Sequence, residues 1–115
     1  MGDQRFRRAY RILRGEDFQR AFQRRATAGD DRLLVFACPN ELPHPRLGLS
    51  VSRKVGGAVQ RNRWKRCLRE AFRLCREELP VGVDFVIVPR PDCVPATGQL
   101  RESLVRLARR AAKKL

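Results

Sequence analysis

Residues 61–76 read R-N-R-W-K-R-C-L-R-E-A-F-R-L-C-R, and the stretch runs into the acidic pair Glu77-Glu78 and then Pro80, a residue that stops helices. On a 3.6-residue period Trp64, Cys67, Leu68, Ala71, Phe72, Leu74 and Cys75 fall on one side. Lys65, Arg66, Arg69, Arg73 and Arg76 fall with Asn62 on the other. The spacing predicts a long amphipathic helix, one side in a core and the other turned to an anion. A solvated helix face ordinarily mixes signs at i,i+4. Here Glu70 is the sole acid between Arg53 and Arg76, against nine lysines or arginines. A phosphate polymer is the anion such a stripe fits best.

The rest of the chain agrees with that reading. Its 115 residues, 43% of them hydrophobic, suit one domain (residues 1–115) that can bury a modest core without disulfides or a metal. A net charge of +14 means that folding gathers self-repelling cations, which a nucleic acid partner would offset. An anionic membrane is the rival sink. Against it, there is no apolar run of spanning length, and residues 1–14 are basic and broken by Gly2, unlike a signal peptide. A cytoplasmic protein is expected. Cys38, Cys67, Cys75 and Cys93 have no zinc spacing and read as reduced thiols, largely buried. His44, alone between Pro43 and Pro45, reads as a solvated turn residue without a catalytic partner.

Outward from the central helix the chain alternates elements. Residues 1–14 form a basic arm, partly disordered until bound. Gly15 then serves as cap for a short helix with Glu16 and Asp17 in its first turn and Phe18, Ala21 and Phe22 as its apolar stripe. Ala28-Gly29-Asp30-Asp31 reads as a turn and residues 33–38 as a strand. Residues 46–53 alternate as a second strand, Leu47, Leu49 and Val51 inward against Gly48, Ser50 and Ser52 outward. Arg53, Lys54, Val55, Gly56 and Gly57 turn into the central helix. Residues 83–88, V-D-F-V-I-V, read as the innermost strand, covered on both faces. Thr97 caps a last helix with Leu100, Leu104, Leu107, Ala108 and Ala111 on its buried side. The class is α+β, a single small sheet packed with helices in the order α-β-β-(β)-α-β-α, the bracketed strand being short or irregular.

Catalytic motifs are missing. Asp30-Asp31 and Glu77-Glu78 are adjacent pairs, whose members point to different sides, and there is no histidine pair for general acid and base. Neither G-x-x-x-x-G-K-S/T nor G-x-G-x-x-G occurs, and the aromatic string of a common RNA-recognition module is absent. By its own side chains the protein reads as a binder. A ribosomal or other structural RNA-binding protein fits the same charge.

The run R-L-G-L-S-V-S-R-K-V-G-G-A-V-Q-R-N-R-W-K-R, with E-D-F-Q-R-A-F before it and D-F-V-I-V after, closely resembles the protein component of bacterial ribonuclease P. The likeness covers most of the chain. It implies a ribosomal-protein-S5-like fold with a left-handed βαβ crossover through the central helix, where general sheet handedness would favour a right-handed one. It also implies that a partner RNA, using magnesium ions, removes the 5′ leader of precursor tRNA, while the protein alone binds no cofactor and contacts neither membrane nor DNA. Carried over, Arg53, Lys54, Arg61, Asn62, Arg63, Lys65, Arg66 and Arg69 would face the catalytic RNA. Phe18, Phe22, Leu34 and Phe36 would line a cleft for the single-stranded leader.

Overall fold

Strand residues alternate between faces, and in this protein the alternation divides one sheet between two apolar layers. The computed structural model describes residues 8–91 and 93–115. Its elements in chain order are α1 (Gly15–Arg24), β1 (Ala26–Gly29), β2 (Leu33–Pro39), β3 (Arg46–Leu49), α2 (Ala58–Cys75), β4 (Val83–Pro89) and α3 (Thr97–Ala112). Single 3-10 turns lie at Arg8–Tyr10, Arg53–Val55 and Arg76–Glu78. The strands lie in the order β1-β2-β4-β3; β2 runs antiparallel to both its neighbours, and β3 parallel to β4. The α+β class and the helix-strand order are therefore as expected, with α2 joining the two parallel strands.

Leu33, Val35 and Ala37 of β2 and Val83, Phe85 and Ile87 of β4 share the larger layer with α2 and α3. From α2 it takes Trp64, Leu68, Ala71, Phe72 and Cys75, and from α3 Leu100, Leu104, Leu107, Ala108 and Ala111, all buried. Each large side chain removed from water in this way contributes about 1.5–3 kcal/mol. Cys38 and Val86, on the other face, meet Ile12 and Ala21 under α1, with Phe18, Phe22 and Phe36 half-buried around them. β4 is interior as expected, every residue but Val88 being buried. Of the two cysteines on α2, Cys75 is buried and Cys67 half-buried; none of the four cysteines is in a disulfide.

Several expectations need correction. The short fourth strand is Ala26–Gly29, most of it in or beside the segment read as a turn. A-T-A-G carries no large apolar residue and so no strand signal, because Ala26 and Ala28 lie in the core beside α3, where small residues fit. The turn itself is built on Asp30, whose Oδ1 accepts from the backbone N–H of Arg32 and of Leu33, each at 2.8 Å. β3 stops at Leu49 and not at Arg53. Ser50 N–H still reaches Ile87 O at 3.0 Å, and then Ser52 Oγ accepts from Lys54 N–H and starts a 3-10 turn. Gly48 does not face solvent, for Phe18 lies on it. Gly15 and Thr97 are first residues of their helices, Arg14 and Ala96 being the caps.

Residues 1–7 of the expected flexible arm lie outside the described residues. The remainder is tied down. Ile12 N–H donates to Leu47 O at 2.9 Å, Arg11 bridges to Leu47 in parallel, and the Ile12 side chain is buried, so the segment covers the outer edge of β3. Tyr10 lies between Arg76, whose guanidinium carbon is 4.1 Å above its ring, and His44, edge-on at 4.9 Å. His44 is thus half-buried packing and not merely a solvated turn residue.

Candidate nucleic-acid interface

Along α2, Asn62, Arg63 and Arg66 are exposed and Arg61, Lys65 and Arg69 half-buried, while Arg53 and Lys54 stand exposed in the turn before it. Among the described residues, none of these seven cations makes an ion pair. The one acid on the helix is already taken: Arg73 Nε donates to Glu70 Oε2 at 3.1 Å and its Nη2 to Oε1. That bond holds the Glu70 carboxyl below its ordinary range. Burial, and then the charge of Arg11, lowers the pKa of Arg69 from the usual guanidinium value, as expected of a cation held beside another cation. Arg61 Nε is buried with no hydrogen-bond partner, a donor that an incoming phosphate oxygen can satisfy. Asn62, Lys65, Arg66 and Arg69 line an open groove of about 400 Å³ with the Glu70–Arg73 pair at its side.

The second group of expected residues gathers on the α1 face of the sheet. The Phe22 and Phe36 rings meet edge-to-face with centroids 4.9 Å apart. Leu34 lies two residues from Phe36 and so on the same face, paired across the ladder with Val88, and both are half-buried. Phe18 is one turn before Phe22 and sits over Gly48 and Ile12. The core reading of the two phenylalanines is met in part: each packs on the smaller layer and each is only half-buried.

The two groups meet around the edge of β3. A cavity of about 210 Å³ is lined by Phe18 and Ile12 from the cleft side, by Lys65 and Arg69 from the ridge, and by Arg11 and Leu13 between them. Arg11 was not among the expected site residues; as one of several arginines in an irregular N-terminal segment, it carries no distinguishing signal. Also missed was the anchor of α1. Asp84 is 1% exposed in the middle of the sheet and binds Arg46 Nε and Nη2 at 2.7 and 2.6 Å and Asn40 Nδ2 at 2.8 Å. Arg46 Nη2 also lies 3.5 Å from Asp17 Oδ2 of α1. The bond to Asp84 raises the Arg46 pKa above its usual value despite the cost of burial. The one charged letter in V-D-F-V-I-V was the available signal.

A hollow of about 740 Å³ lies away from both groups on α3. Three of its four arginines are engaged, Arg110 being the exception among the described residues: Arg101 pairs with Glu78 at 3.6 Å, Arg106 with Asp30 at 2.5 Å, and Arg109 donates to the Glu78 carbonyl. The uncompensated ridge is the stronger anion site. No group of three or more His, Cys, Asp or Glu among the described residues is placed to hold a metal ion. No helix among them is long and apolar enough to cross a membrane.

A mixed four-stranded sheet, two helices closing one face, a third helix half-covering the other, and an unpaired cationic ridge beside the half-covered face define a class of small basic α+β proteins. Comparison with known proteins narrows the class. The sequence pattern of the ribonuclease P family matches residues 6–112. The ribonuclease P protein component of Bacillus mycoides is 38% identical over 106 residues, spanning 90% of this chain and 92% of the relative. Among solved structures, the ribonuclease P protein of Staphylococcus aureus superposes with a TM-score of 0.75 at 35% identity, covering 89% of this chain and 94% of that one. That of Thermotoga maritima gives 0.76 at 31% identity, covering 87% and 96%. The chain belongs to the ribonuclease P protein family.

Proposed function

We propose that this chain is the protein subunit of ribonuclease P and works in the cytoplasm. On this reading the α2 ridge, with Arg53 and Lys54, binds the catalytic RNA, and Phe18, Phe22, Leu34 and Phe36 hold the 5′ leader of precursor tRNA. The RNA, with its magnesium ions, cuts the leader and releases the mature 5′ end. The observation that carries the reading is the shared cavity, where Phe18 on the cleft side and Lys65 and Arg69 on the ridge line one hollow. Two polyanions laid in ridge and cleft approach each other there, and cations held between them offset their repulsion.

The protein's work is then binding and orientation. The apolar walls of the cleft grip unpaired bases, the ridge neutralises phosphates, and the carboxylates, scattered or already paired, leave the metal ions to the RNA. The test is reconstitution of the purified chain with a bacterial catalytic RNA and precursor tRNA at low magnesium. Stimulated release of the 5′ leader is the expected result. Co-purification with ribosomal subunits and no stimulation would transfer the chain to structural RNA binding.

A further inference from the structure

On the larger layer, beside the first turns of α2, is a hollow of about 400 Å³ between the helix, the turn before it and the loop after β4. Trp64, 2% exposed, lies at its floor, with Val55, Pro91 and Pro95 as walls and Gln60 and Val94 at the rim. Arg63 lines it too, next to the tryptophan in sequence and free of any ion pair among the described residues. The hollow is of the size of small-ligand clefts, flat-walled through its two prolines, and apolar except for the Gln60 amide, the Arg63 guanidinium and the half-buried Cys93 thiol. No acid is among its described lining residues.

We propose that this slot receives one unpaired nucleobase of the catalytic RNA. The inference rests on the functional reading above and extends it. A base offers a flat π-face to proline, valine and indole edges, an edge that the Gln60 amide can read as donor or acceptor, and a phosphate for Arg63. Charge selects the occupant: Arg53 and Lys54 precede Val55 in the same turn, so a chain reaching the slot passes over unpaired cations. Position selects the source. The leader cleft lies on the α1 face of the sheet with Leu34 and Phe36, whereas Trp64 belongs to the opposite layer, together with the root of the α2 ridge.

The experiment measures binding of the catalytic RNA and, separately, of precursor and mature tRNA to the full chain, with salt series for each. Two variants are used. Val94→Phe fills the slot from a position that is 70% exposed, and Gln60→Ala, also at an exposed position, removes the edge reader. The expected result is catalytic-RNA binding about tenfold weaker with Val94→Phe and several-fold weaker with Gln60→Ala. The salt slope should be unchanged, since neither variant alters a charge. Lys65→Ala serves as the contrast, because it should lower the slope. Normal slope and affinity in both slot variants, alongside a lowered slope in Lys65→Ala, overturn the slot and leave the functional reading standing. A loss confined to precursor tRNA assigns the slot to the leader and overturns the proposal as made. A wild-type chain that does not bind the RNA overturns both.

Discussion

Arg46 holds Asp84 through both ends of its guanidinium fork, at 2.7 and 2.6 Å, from the adjacent parallel strand. The pair stands abreast in the β3–β4 ladder, and the same Arg46 Nη2 reaches Asp17 of α1. Breaking such a buried pair from one side leaves an uncompensated charge, which costs about 3–5 kcal/mol. Arg46→Met should therefore lower the thermal midpoint by more than about 10 °C and loosen α1 from the sheet. Circular dichroism melting checks this, and a shift of a degree or two would show that the network matters little.

The Phe22–Phe36 contact leaves both rings partly in solvent. If they stack on leader bases, each contact is worth about 1–3 kcal/mol. Phe22→Ala should weaken precursor tRNA binding by roughly one order of magnitude and leave mature tRNA binding alone. Equal loss for both ligands would mean only that the fold had suffered.

Lys65 and Arg66 have no acid partner among the described residues. Each that contacts a phosphate should contribute roughly 0.7–0.9 to the slope of log affinity against log salt. Lys65→Ala and Arg66→Ala are expected to flatten that slope by about one unit apiece. Arg66→Lys should keep the slope and still lose affinity, because an ammonium cannot replace a bidentate fork. An unaltered slope in the alanine variants would remove both residues from the interface.

At Gly48 the Phe18 side chain of α1 lies directly on the sheet. A methyl group there would stand 2.8 Å from Phe18 Cε1 and 3.0 Å from Ile12 Cδ1. Gly48→Ala should destabilise the protein by about 1–3 kcal/mol through overpacking, and displace Phe18. Urea denaturation reads the first effect, and the precursor-to-mature affinity ratio reads the second. A variant as stable as the parent would show that α1 shifts without cost.

Burial pushes the Cys75 thiol up to about 12, with Glu78 adding to the shift. In the native protein at pH 8, alkylation should reach the half-buried Cys67 and Cys93 first and Cys75 only on unfolding. The sign of the pH effect follows. The unfolded thiol ionises near its ordinary value of 9.0 while the folded one stays protonated, so this group's contribution is intact below pH 9 and is lost as pH rises towards 12. Early native-state labelling of Cys75 would refute the assignment.

The sequence showed the period-3.6 faces of α2 and α3 and the continuous apolar run of β4 because one physical demand, burial against the sheet, sets their pattern. β1 was hidden because α3 requires small residues there, and Ala26 and Ala28 look like a loop. The ends of β3 depend on Ser50 and Ser52, whose hydrogen bonds serve a strand and a turn equally well. The ridge was legible as uncompensated charge in residues 53–76. The cleft residues Phe18, Phe22, Leu34 and Phe36 could be grouped by resemblance, but periodicity could not say how far each ring stays open to solvent. Arg11 and Arg46 depend on tertiary neighbours and left almost no local trace.

The bond from Ile12 to Leu47 along β3, which fastens the N-terminal segment, also closes one rim of the sheet. The opposite rim is only the four residues of β1, and the Lys114 ammonium donates to its Thr27 carbonyl. Among the described residues neither border offers a long flat ladder to a second copy, and both are guarded by cations. Strand addition by a second copy along either rim is thus disfavoured.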